Sequence, residues 1–433
     1  MSLVERIFAV DVLRGVAVLG ILLINIEDFG LPHADKSAPG TEWVGAFLPS
    51  DLSRHDVLLW VLVRALFEGK MRAIFSMLFG AGVVLLTSHL DKRGEGARSA
   101  DIYYRRTLWL LGFGLLHAYL LWEGDILFSY ALSGLFLFPF RNASPRLLLA
   151  LGAIVLSISI PRAAVIAMHR QDLRTQTALA KADEAAGRTP SRREKDARDE
   201  WTEILDGFEP NPRNVEESRD DHRGSYAHMF TERAELVMDV ESTDYYSWAF
   251  FDTVGMMLIG MGLLKLGVLT ASRPAAVYVG MAALGLGVGL PCSAAGAYEL
   301  YVHRFDPVGV AWVTAAYEPG RLLVALAYIG VVMRVVRSGR LRRITSALAQ
   351  VGRMALTNYL LTTLLCTTLF NGYGLGLFGT LGRGALYGVV LGVWCVELAA
   401  STLWLRSFRF GPTEWVWRSL TYWKLQPLRR AEA

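Results

Sequence analysis

The chain has 433 residues, of which 53% are hydrophobic and 19% are charged, and its mean hydropathy is +0.33. This composition argues against a soluble globular protein and favours an integral membrane protein. The net charge of +4 arises largely from short basic loops, which are typical of segments facing anionic lipid, so nucleic acid is not an expected partner.

About ten apolar stretches are long enough to cross a hydrocarbon core about 30 Å thick, which needs about 20 helical residues. They are approximately 12–30, 71–90, 106–123, 125–141, 146–168, 246–267, 275–298, 309–333, 347–370 and 384–405. The sequence therefore predicts an all-α fold, a polytopic membrane bundle of about ten transmembrane helices. Residues 56–67 are apolar but too short to span, and we interpret them as an interfacial or re-entrant segment.

Positive charge in the loops predicts the orientation. Lys and Arg cluster in the C-terminal tail and in four loops, at 91–106, 141–146, 265–274 and 334–343. With ten spans, all of these lie on the same side as the N-terminus. Because cytoplasmic loops carry the excess of Lys and Arg, both termini are predicted to be cytoplasmic.

A long polar segment interrupts the apolar pattern and divides the chain into three predicted parts. They are an N-terminal transmembrane bundle (1–168), a charged extracytoplasmic insertion (169–245), and a C-terminal transmembrane bundle with a basic cytoplasmic tail (246–433). Long loops translocate largely regardless of charge, so the basic residues of the insertion do not contradict this topology. Aromatic residues predict that the second half of the insertion packs against something; they are Tyr226, Phe230, Tyr245, Tyr246 and Trp248.

The first span opens with charge. Asp11 and Arg14 are three residues apart and can pair on one helix face. Asn25 follows Arg14 by eleven residues, close to three turns, and so extends the same polar stripe. The stripe is either an interfacial anchor with a helix-to-helix hydrogen bond, or the lining of a pocket. No small-residue cleavage site follows it, so we expect a resident span rather than a signal peptide.

Other polar residues lie in or beside later spans. They are Lys70, Arg72 and Ser76 around the second span, His117, Glu123, Asp125 and Tyr130 around the tight link between the third and fourth, and Arg353, Asn358 and Tyr359 in the ninth. His117 is one to two turns from two carboxylates, which favours acid–base chemistry, although a lone helical histidine is usually structural. The three cysteines are too dispersed for a disulfide framework or a zinc site, and no metal is predicted.

Several stretches together carry a family resemblance. They are "RIFAVDVLRGVAVLGILLIN" (6–25), "FSMLFGAGVVLL" (75–86), "HAYLLWEGDILFSYALSGLFLF" (117–138), "GRMALTNYLLTTLLCTTLFNGYGLGLFG" (352–379) and "GPTEWVWRSLTY" (411–422). In their order and spacing they resemble the YeiB family of bacterial inner-membrane proteins, which has a domain of unknown function at its C-terminus. The resemblance covers nearly the whole chain and implies a multi-pass protein of the bacterial cytoplasmic (inner) membrane.

A more distant similarity carries a function. "DVLRG" (11–15), "YRR" (104–106) and the G-R-x-x-L-x-x-Y pattern (352–359) are similar to transmembrane acyltransferases such as heparan-α-glucosaminide N-acetyltransferase. That similarity implies transfer of an acyl group from a cytoplasmic acyl-CoA, such as acetyl-CoA, to a glycan or small-molecule acceptor of the envelope. It makes the other polar residues above candidates for binding substrate.

The same similarity assigns roles along the first span. Asp11 and Arg14 would shape the inner end of a tunnel, and Asn25 would position the acyl carbonyl. Asn25 stands where related sugar O-acyltransferases have their catalytic histidine, and an amide cannot take a proton. The general base is therefore predicted to be His33, in the loop after the first span, or His117.

Two other functions stay open. A transporter of a small solute or a proton-coupled substrate would also use buried charged residues, although no inverted repeat is visible. A non-catalytic scaffold that keeps the acyltransferase-like fold would tolerate Asn25. The bilayer is an expected partner, and the glycine ladder at 280–289 predicts close helix packing within the protein or in a homodimer or larger homo-oligomer.

Overall fold

The computed structural model describes residues 3–32, 54–92, 94, 96–208 and 212–430. These residues form α-helices, short 3₁₀ and π segments, and an isolated β-bridge between Phe408 and Arg429. The α-helices are α1 (Leu3–Gly30), α2 (Arg54–Leu66), α3 (Lys70–Lys92), α4 (Ser99–Leu120), α5 (Leu127–Gly134), α6 (Pro145–Ser157), α7 (Ser159–Ala185), α8 (Arg192–Phe208), α9 (Pro212–Arg223), α10 (Tyr226–Asp239), α11 (Phe250–Lys265), α12 (Ala275–Leu284), α13 (Leu290–Val302), α14 (Pro307–Ser338), α15 (Arg342–Arg353), α16 (Ala355–Phe370), α17 (Arg383–Ser407) and α18 (Pro412–Tyr422).

Six helical segments among the described residues are long and apolar enough to cross a membrane. They are Phe8–Gly30, His55–Lys92, Pro145–Ala185, Ala275–Val302, Pro307–Ser338 and Arg383–Ser407. The prediction of an all-α membrane protein is thereby confirmed. The total of ten spans and the cytoplasmic position of the termini stay predictions.

Two predicted spans are interrupted. The stretch 125–141 forms the eight-residue helix α5 and then a 3₁₀ turn that contains Pro139, a residue that cannot donate to a helical hydrogen bond. The stretch 347–370 forms two helices, because the backbone of Met354 leaves helical geometry between α15 and α16. Hydropathy detects both stretches but does not detect these local breaks.

Side-chain caps mark where two helices begin, and a left-handed glycine marks where one of them ends. The Asp306 carboxylate accepts a hydrogen bond from the Gly309 N–H at 3.1 Å, and Pro307 occupies the first turn of α14. Gly339 ends α14 with φ of +65°, a left-handed conformation in which glycine carries no steric penalty. The hydroxyl of Ser144 caps α6 in the same way as Asp306 caps α14.

The helix formed by α2 and α3 is broken inside the apolar segment. Gly69 has φ of +67° and lies between the two helices. Three side chains donate to the carbonyls that the break exposes: Lys70 Nζ to Arg64 (3.0 Å), Tyr328 Oη to Leu66 (2.8 Å) and Tyr317 Oη to Glu68 (3.2 Å). Irregular backbone at membrane depth is tolerated where protein groups satisfy it. The re-entrant interpretation of 56–67 stays a prediction.

Helices from the two predicted bundles pack directly on each other. Gly80 of α3 and Gly260 of α11 face each other's helices, so closely that a Cβ on either would lie about 2 Å from a backbone carbonyl. Gly15 of α1 and Gly352 of α15 make a second close crossing. Small residues at these crossings let the backbones approach, as is common in membrane bundles.

The second half of the insertion packs on the end of the bundle that carries the α4–α5 link. The His222 carbonyl accepts from the Gly372 N–H at 2.8 Å, and the His222 ring stacks on Phe378 with centroids 3.8 Å apart. The hydroxyl of Tyr226 donates to the Leu120 carbonyl at 2.8 Å. Of the other aromatic residues singled out by the sequence, Tyr245 is buried, Phe230 and Tyr246 are exposed, and the Trp248 side chain lies outside the described part of the chain.

The α3–α11 crossing predicts a stability difference between two neighbouring glycines. A Cβ at Gly80 would lie 2.0 Å from the Met257 carbonyl oxygen, whereas a Cβ at Gly82 meets nothing within 4 Å. Gly80→Ala is therefore expected to lower the thermal unfolding midpoint in detergent, since overpacking costs about 1–3 kcal/mol. The control Gly82→Ala should leave the midpoint unchanged or raise it slightly. Equal midpoints for the two variants would contradict this packing.

Candidate functional site

His117, near the end of α4, lies between a carboxylate and a hydroxyl. Its Nδ1 is 2.8 Å from Asp125 Oδ1, and its Nε2 is 2.9 Å from Thr363 Oγ1 on α16. The histidine is 2% exposed and the threonine 1%. Because an ionised carboxylate only accepts hydrogen bonds, Asp125 favours a proton on Nδ1. In the neutral ring, Nε2 then accepts the hydrogen bond from Thr363.

The turn before α5 holds Asp125 in place. Asp125 Oδ2 accepts from the Phe128 N–H at 2.7 Å, and Tyr359 Oη lies 3.5 Å from Oδ1. Gly114 allows this contact between α4 and the turn, because a Cβ there would lie 2.4 Å from Phe128 N. The carboxylate is thus aimed at His117 by groups on α5 and α16, an arrangement in which a base is oriented by a third group.

The structure brings together part of the predicted site and adds one residue. His117, Asp125 and Tyr359 lie together, with the rings of His117 and Tyr359 4.9 Å apart. Thr363 was not predicted, although it follows Tyr359 by four residues and so lies on the same face of α16. Glu123, the other predicted carboxylate of the link, instead lies 3.6 Å from Arg233 of α10.

The predicted base His33 lies outside the described residues. Asn25 is half-buried on α1, one turn before Phe29 on the same face. The rings of Phe29 and Trp122 are tilted against each other with centroids 4.2 Å apart, and Trp122 meets the His117 ring edge-on at 6.4 Å. The face of α1 that carries Asn25 therefore leads toward the His117 site.

A second cluster lies at the start of α1. Arg14 pairs with Asp11 at 2.7 Å and approaches the Gly352 carbonyl at 3.4 Å. The charges of Arg353 and Arg418 also act on Asp11. This group of cations belongs to three helices that are distant in sequence, and the carboxylates of Asp11 and Glu414 act on it.

Arg106 of α4 extends this arginine cluster toward His117. Its guanidinium lies 3.5 Å from the ring centroid of Trp417, and its charge interacts with Arg418 and Arg14. Arg106 precedes His117 by eleven residues, so the two lie on the same face of α4 about 16 Å apart along the axis. Helix α4 therefore connects the arginine cluster with the histidine site.

The carboxylate of Glu414 is already engaged within the protein. Its Oε1 accepts from the N–H groups of Leu356 (2.7 Å) and Thr357 (3.1 Å) at the start of α16. Burial lowers the pKa of the neighbouring Arg418, Tyr422 and the Glu414 carboxylate act in the opposite direction, and the positive charge of Arg14 lowers this pKa further. An anion bound here would relieve that repulsion, so the arginine cluster is suited to bind phosphate groups.

A third cluster is a buried ion network around Asp252 of α11. Arg321 of α14 is fully buried and bonds both Asp252 and Glu318, the latter at 2.6 Å. The predicted residue Arg72 lies 3.2 Å from Asp252. Asp252, Glu318 and Arg162 also line a cavity of about 60 Å³, which has room for a few water molecules.

A related set of charges surrounds Glu27 of α1. Arg383 lies 2.6 Å and Arg64 3.5 Å from the Glu27 carboxylate, and Arg64 also pairs with Glu68 at 3.1 Å. Among the residues around Glu27 and Asp252, Arg72 and the neighbouring Lys70 were predicted as candidate binding residues. The other members of the two sets were not predicted. The available signal was the presence of ionisable residues inside apolar runs, which are functional-site candidates by default.

The remaining predicted residues act in packing. Ser76 and Tyr130 hydrogen-bond each other at 2.9 Å and join α3 to α5. The amide of Asn358 donates to Val351 O at 3.1 Å and to Ser401 Oγ at 2.9 Å, which ties α16 to α17. These contacts give each of the three polar groups a structural partner.

Comparison with known proteins gives relatives over the full length of the chain. Residues 263–424 match a family described as proteins of unknown function (DUF418). The chain is 30% identical to an uncharacterized protein, YxaH, of Bacillus subtilis (strain 168), covering 98% of this chain and 96% of the relative. It is 31% identical to the uncharacterized protein YeiB of Escherichia coli (strain K12), covering 96% of each. No solved structure matches the chain.

The Asp252 network predicts a large cost for removing its shared cation. Arg321→Met leaves Asp252 and Glu318 buried together without it, and breaking such a buried pair costs about 3–5 kcal/mol. We expect a marked drop in the thermal unfolding midpoint and partial recovery when both acids are also replaced by Asn and Gln. Arg188→Met, which removes an exposed partner of Asp183, should cost at most about 1 kcal/mol. A small effect of Arg321→Met alone would contradict the network.

Glu241, in the π segment after α10, predicts a pH dependence of stability. Burial, together with the charge of Asp125, raises its pKa from 4.5 to about 7. Between these values the folded protein binds more protons than the unfolded chain, so this group makes stability fall as pH rises. Glu241→Gln should therefore raise the unfolding midpoint at about pH 8 relative to the unmodified protein, with little effect near pH 4.5. The same shift at both pH values would contradict this interpretation.

Proposed function

The chain belongs to the YeiB-like family, and we propose that it is a transmembrane acyltransferase of the bacterial inner membrane. It would move an acyl group from a cytoplasmic acyl-CoA, such as acetyl-CoA, to a sugar or other acceptor of the envelope. The observation that carries the proposal is the buried His117–Asp125 pair, which lies three turns along α4 from an arginine cluster.

The arginine cluster supplies a donor site. Arg14, Arg106 and Arg418 together offer guanidinium groups suited to the phosphates of an acyl-CoA, since arginine binds phosphate in a bidentate manner. Trp417, which already stacks on Arg106, adds an aromatic surface beside these charges. The predicted binding residues Asp11 and Arg353 belong to the same cluster.

His117 supplies the proton transfers of the reaction. The attacking group loses its proton to Nε2 as it bonds to the thioester carbonyl carbon, and the carbon–sulfur bond then breaks. The proton passes from Nε2 to the departing thiolate, so CoA leaves as a free thiol. Asp125 keeps the ring oriented and stabilises the transient imidazolium. Burial keeps out water, which would otherwise hydrolyse the thioester.

The predicted topology fits this chemistry. With ten spans and both termini in the cytoplasm, the arginine cluster faces the donor, and the outer end of α4 faces the envelope. Helices α9 and α10 of the insertion lie above that end, where Arg233 pairs with Glu123, and an acceptor would approach there. Asn25, on the face of α1 that leads to Trp122, stays the candidate for orienting the acyl carbonyl.

Three features favour transport as a second function. The broken helix α2–α3, the buried Asp252 network and the cavity of about 60 Å³ lie in or beside the apolar helices. Helices broken at membrane depth and buried ion pairs are features of solute and proton pathways. The acyl-transfer proposal leaves this network without a chemical role.

Turnover with acetyl-CoA tests the proposed function. We expect purified protein in nanodiscs to release free CoA when glucosamine is supplied as the acceptor probe. His117→Ala should lower kcat by about 10²- to 10⁴-fold, the usual contribution of a general base. Arg418→Gln should instead raise KM for acetyl-CoA. His169→Ala, an exposed histidine paired with Glu200, is the matched control and should retain full activity.

Absence of CoA release with acetyl-CoA and longer acyl-CoAs, using several amino sugars and glycans, would overturn acyl transfer. Proton or solute flux in proteoliposomes that is lost in Asp252→Asn would then support transport. If the protein shows neither turnover nor flux, these results support the non-catalytic scaffold.

A further inference from the structure

Building on the proposed acyl transfer, we propose that Thr363 is the residue that first receives the acyl group, as a covalent ester. Its hydroxyl lies 2.9 Å from His117 Nε2, and His117 Nδ1 lies 2.8 Å from Asp125. Hydroxyl, imidazole and carboxylate are thus aligned in the order that activates an oxygen nucleophile.

The Thr363 hydroxyl is directed differently from that of Thr368 on the same helix. Thr368 donates to the carbonyl four residues earlier at 2.7 Å, the usual arrangement for threonine in a helix. Thr362 makes this bond at 2.9 Å and also donates to the Glu397 carboxylate. For Thr363 the corresponding distance, to Tyr359 O, is 3.3 Å, and the nearer partner is His117. The hydroxyl therefore lies closer to the base than to the carbonyl of its own helix.

The location of Thr363 suits an acyl carrier between two substrates. It is eight residues from the start of α16 and seven from its end, or about 12 and 10 Å along the axis. The donor site is near the start of α16, where Glu414 binds Leu356 and Thr357, and the acceptor side is near its end. A hydroxyl at this midpoint lets donor and acceptor react in turn, without both entering a site that is almost fully buried.

The chemistry proceeds in two balanced steps. First, Thr363 Oγ1 attacks the thioester carbonyl, His117 takes the hydroxyl proton, the carbon–sulfur bond breaks, and CoA leaves as a thiol with that proton. Second, a hydroxyl or amine of the acceptor attacks the Thr363 ester, again losing its proton to His117. The carbon–oxygen bond to Thr363 breaks, and the proton returns to Oγ1. No oxidant, reductant or metal is needed.

The test uses the full chain in nanodiscs with acetyl-CoA labelled in the acetyl group and no acceptor. We expect a burst of one CoA per protein, and one acetyl group bound to the peptide that contains Thr363, removable by hydroxylamine. Thr363→Val removes the hydroxyl at constant volume and should lose labelling and at least about 100-fold in turnover. Thr363→Ser should keep both, and the exposed control Thr368→Val should behave as the unmodified protein.

Thermal stabilisation by acetyl-CoA checks that Thr363→Val still folds and binds the donor. If the unmodified protein transfers acetyl groups without becoming labelled, and folded Thr363→Val has full turnover, the role of Thr363 is overturned while acyl transfer stands. A label that maps to His117 would likewise overturn it. If the unmodified protein neither releases CoA nor transfers acetyl to any acceptor, both proposals fall together.

Discussion

Pairing of charged groups inside an apolar bundle is the constraint on which the helix arrangement depends. Arg321 of α14 bridges to α11 through Asp252 and pairs with Glu318 of its own helix, and Arg72 adds α3 to the same contact. A charge buried without a partner costs several kcal/mol, so these three helices cannot separate or shift register independently. Backbone polar groups inside the bundle also need partners. Lys70 and two tyrosines donate hydrogen bonds to the carbonyls that the α2–α3 break exposes, and the irregular backbone is therefore tolerated.

The histidine site is also a buried set of paired polar groups, but its members can exchange a proton. The Asp252 network is held by arginine, which stays protonated, and it therefore stabilises without transferring protons. His117 instead lies between Asp125 and a neutral hydroxyl, so one ring nitrogen is held and the other is available. Because α4 carries both His117 and Arg106, a rigid helix fixes the separation between proton transfer and the arginine cluster.

The sequence predicts features that are local. The helical membrane class follows from long apolar runs, and the proximity of His117 to Asp125 follows from the short link between α4 and α5, since the two residues are only eight apart in sequence. Thr363 could not be found in this way, because it is 246 residues from His117 and nothing local marks it among neighbouring threonines. Asp252 and Arg321 were missed because one or two charges hardly change the mean hydropathy of a 20-residue window. Short helix interruptions such as those at Pro139 and Met354 likewise do not change this mean hydropathy.

Proton transfer at this site requires that His117 Nε2 accept the hydrogen bond of Thr363, and the position of the ring proton shows whether it does. The measurement is ¹⁵N NMR of histidine-labelled protein in nanodiscs, with the His117 signal assigned by its loss in His117→Ala. We expect the ring proton on Nδ1 and none on Nε2. A ring protonated on Nε2, whether as the other tautomer or as imidazolium, would contradict this expectation, because His117 could not then take a proton from Thr363.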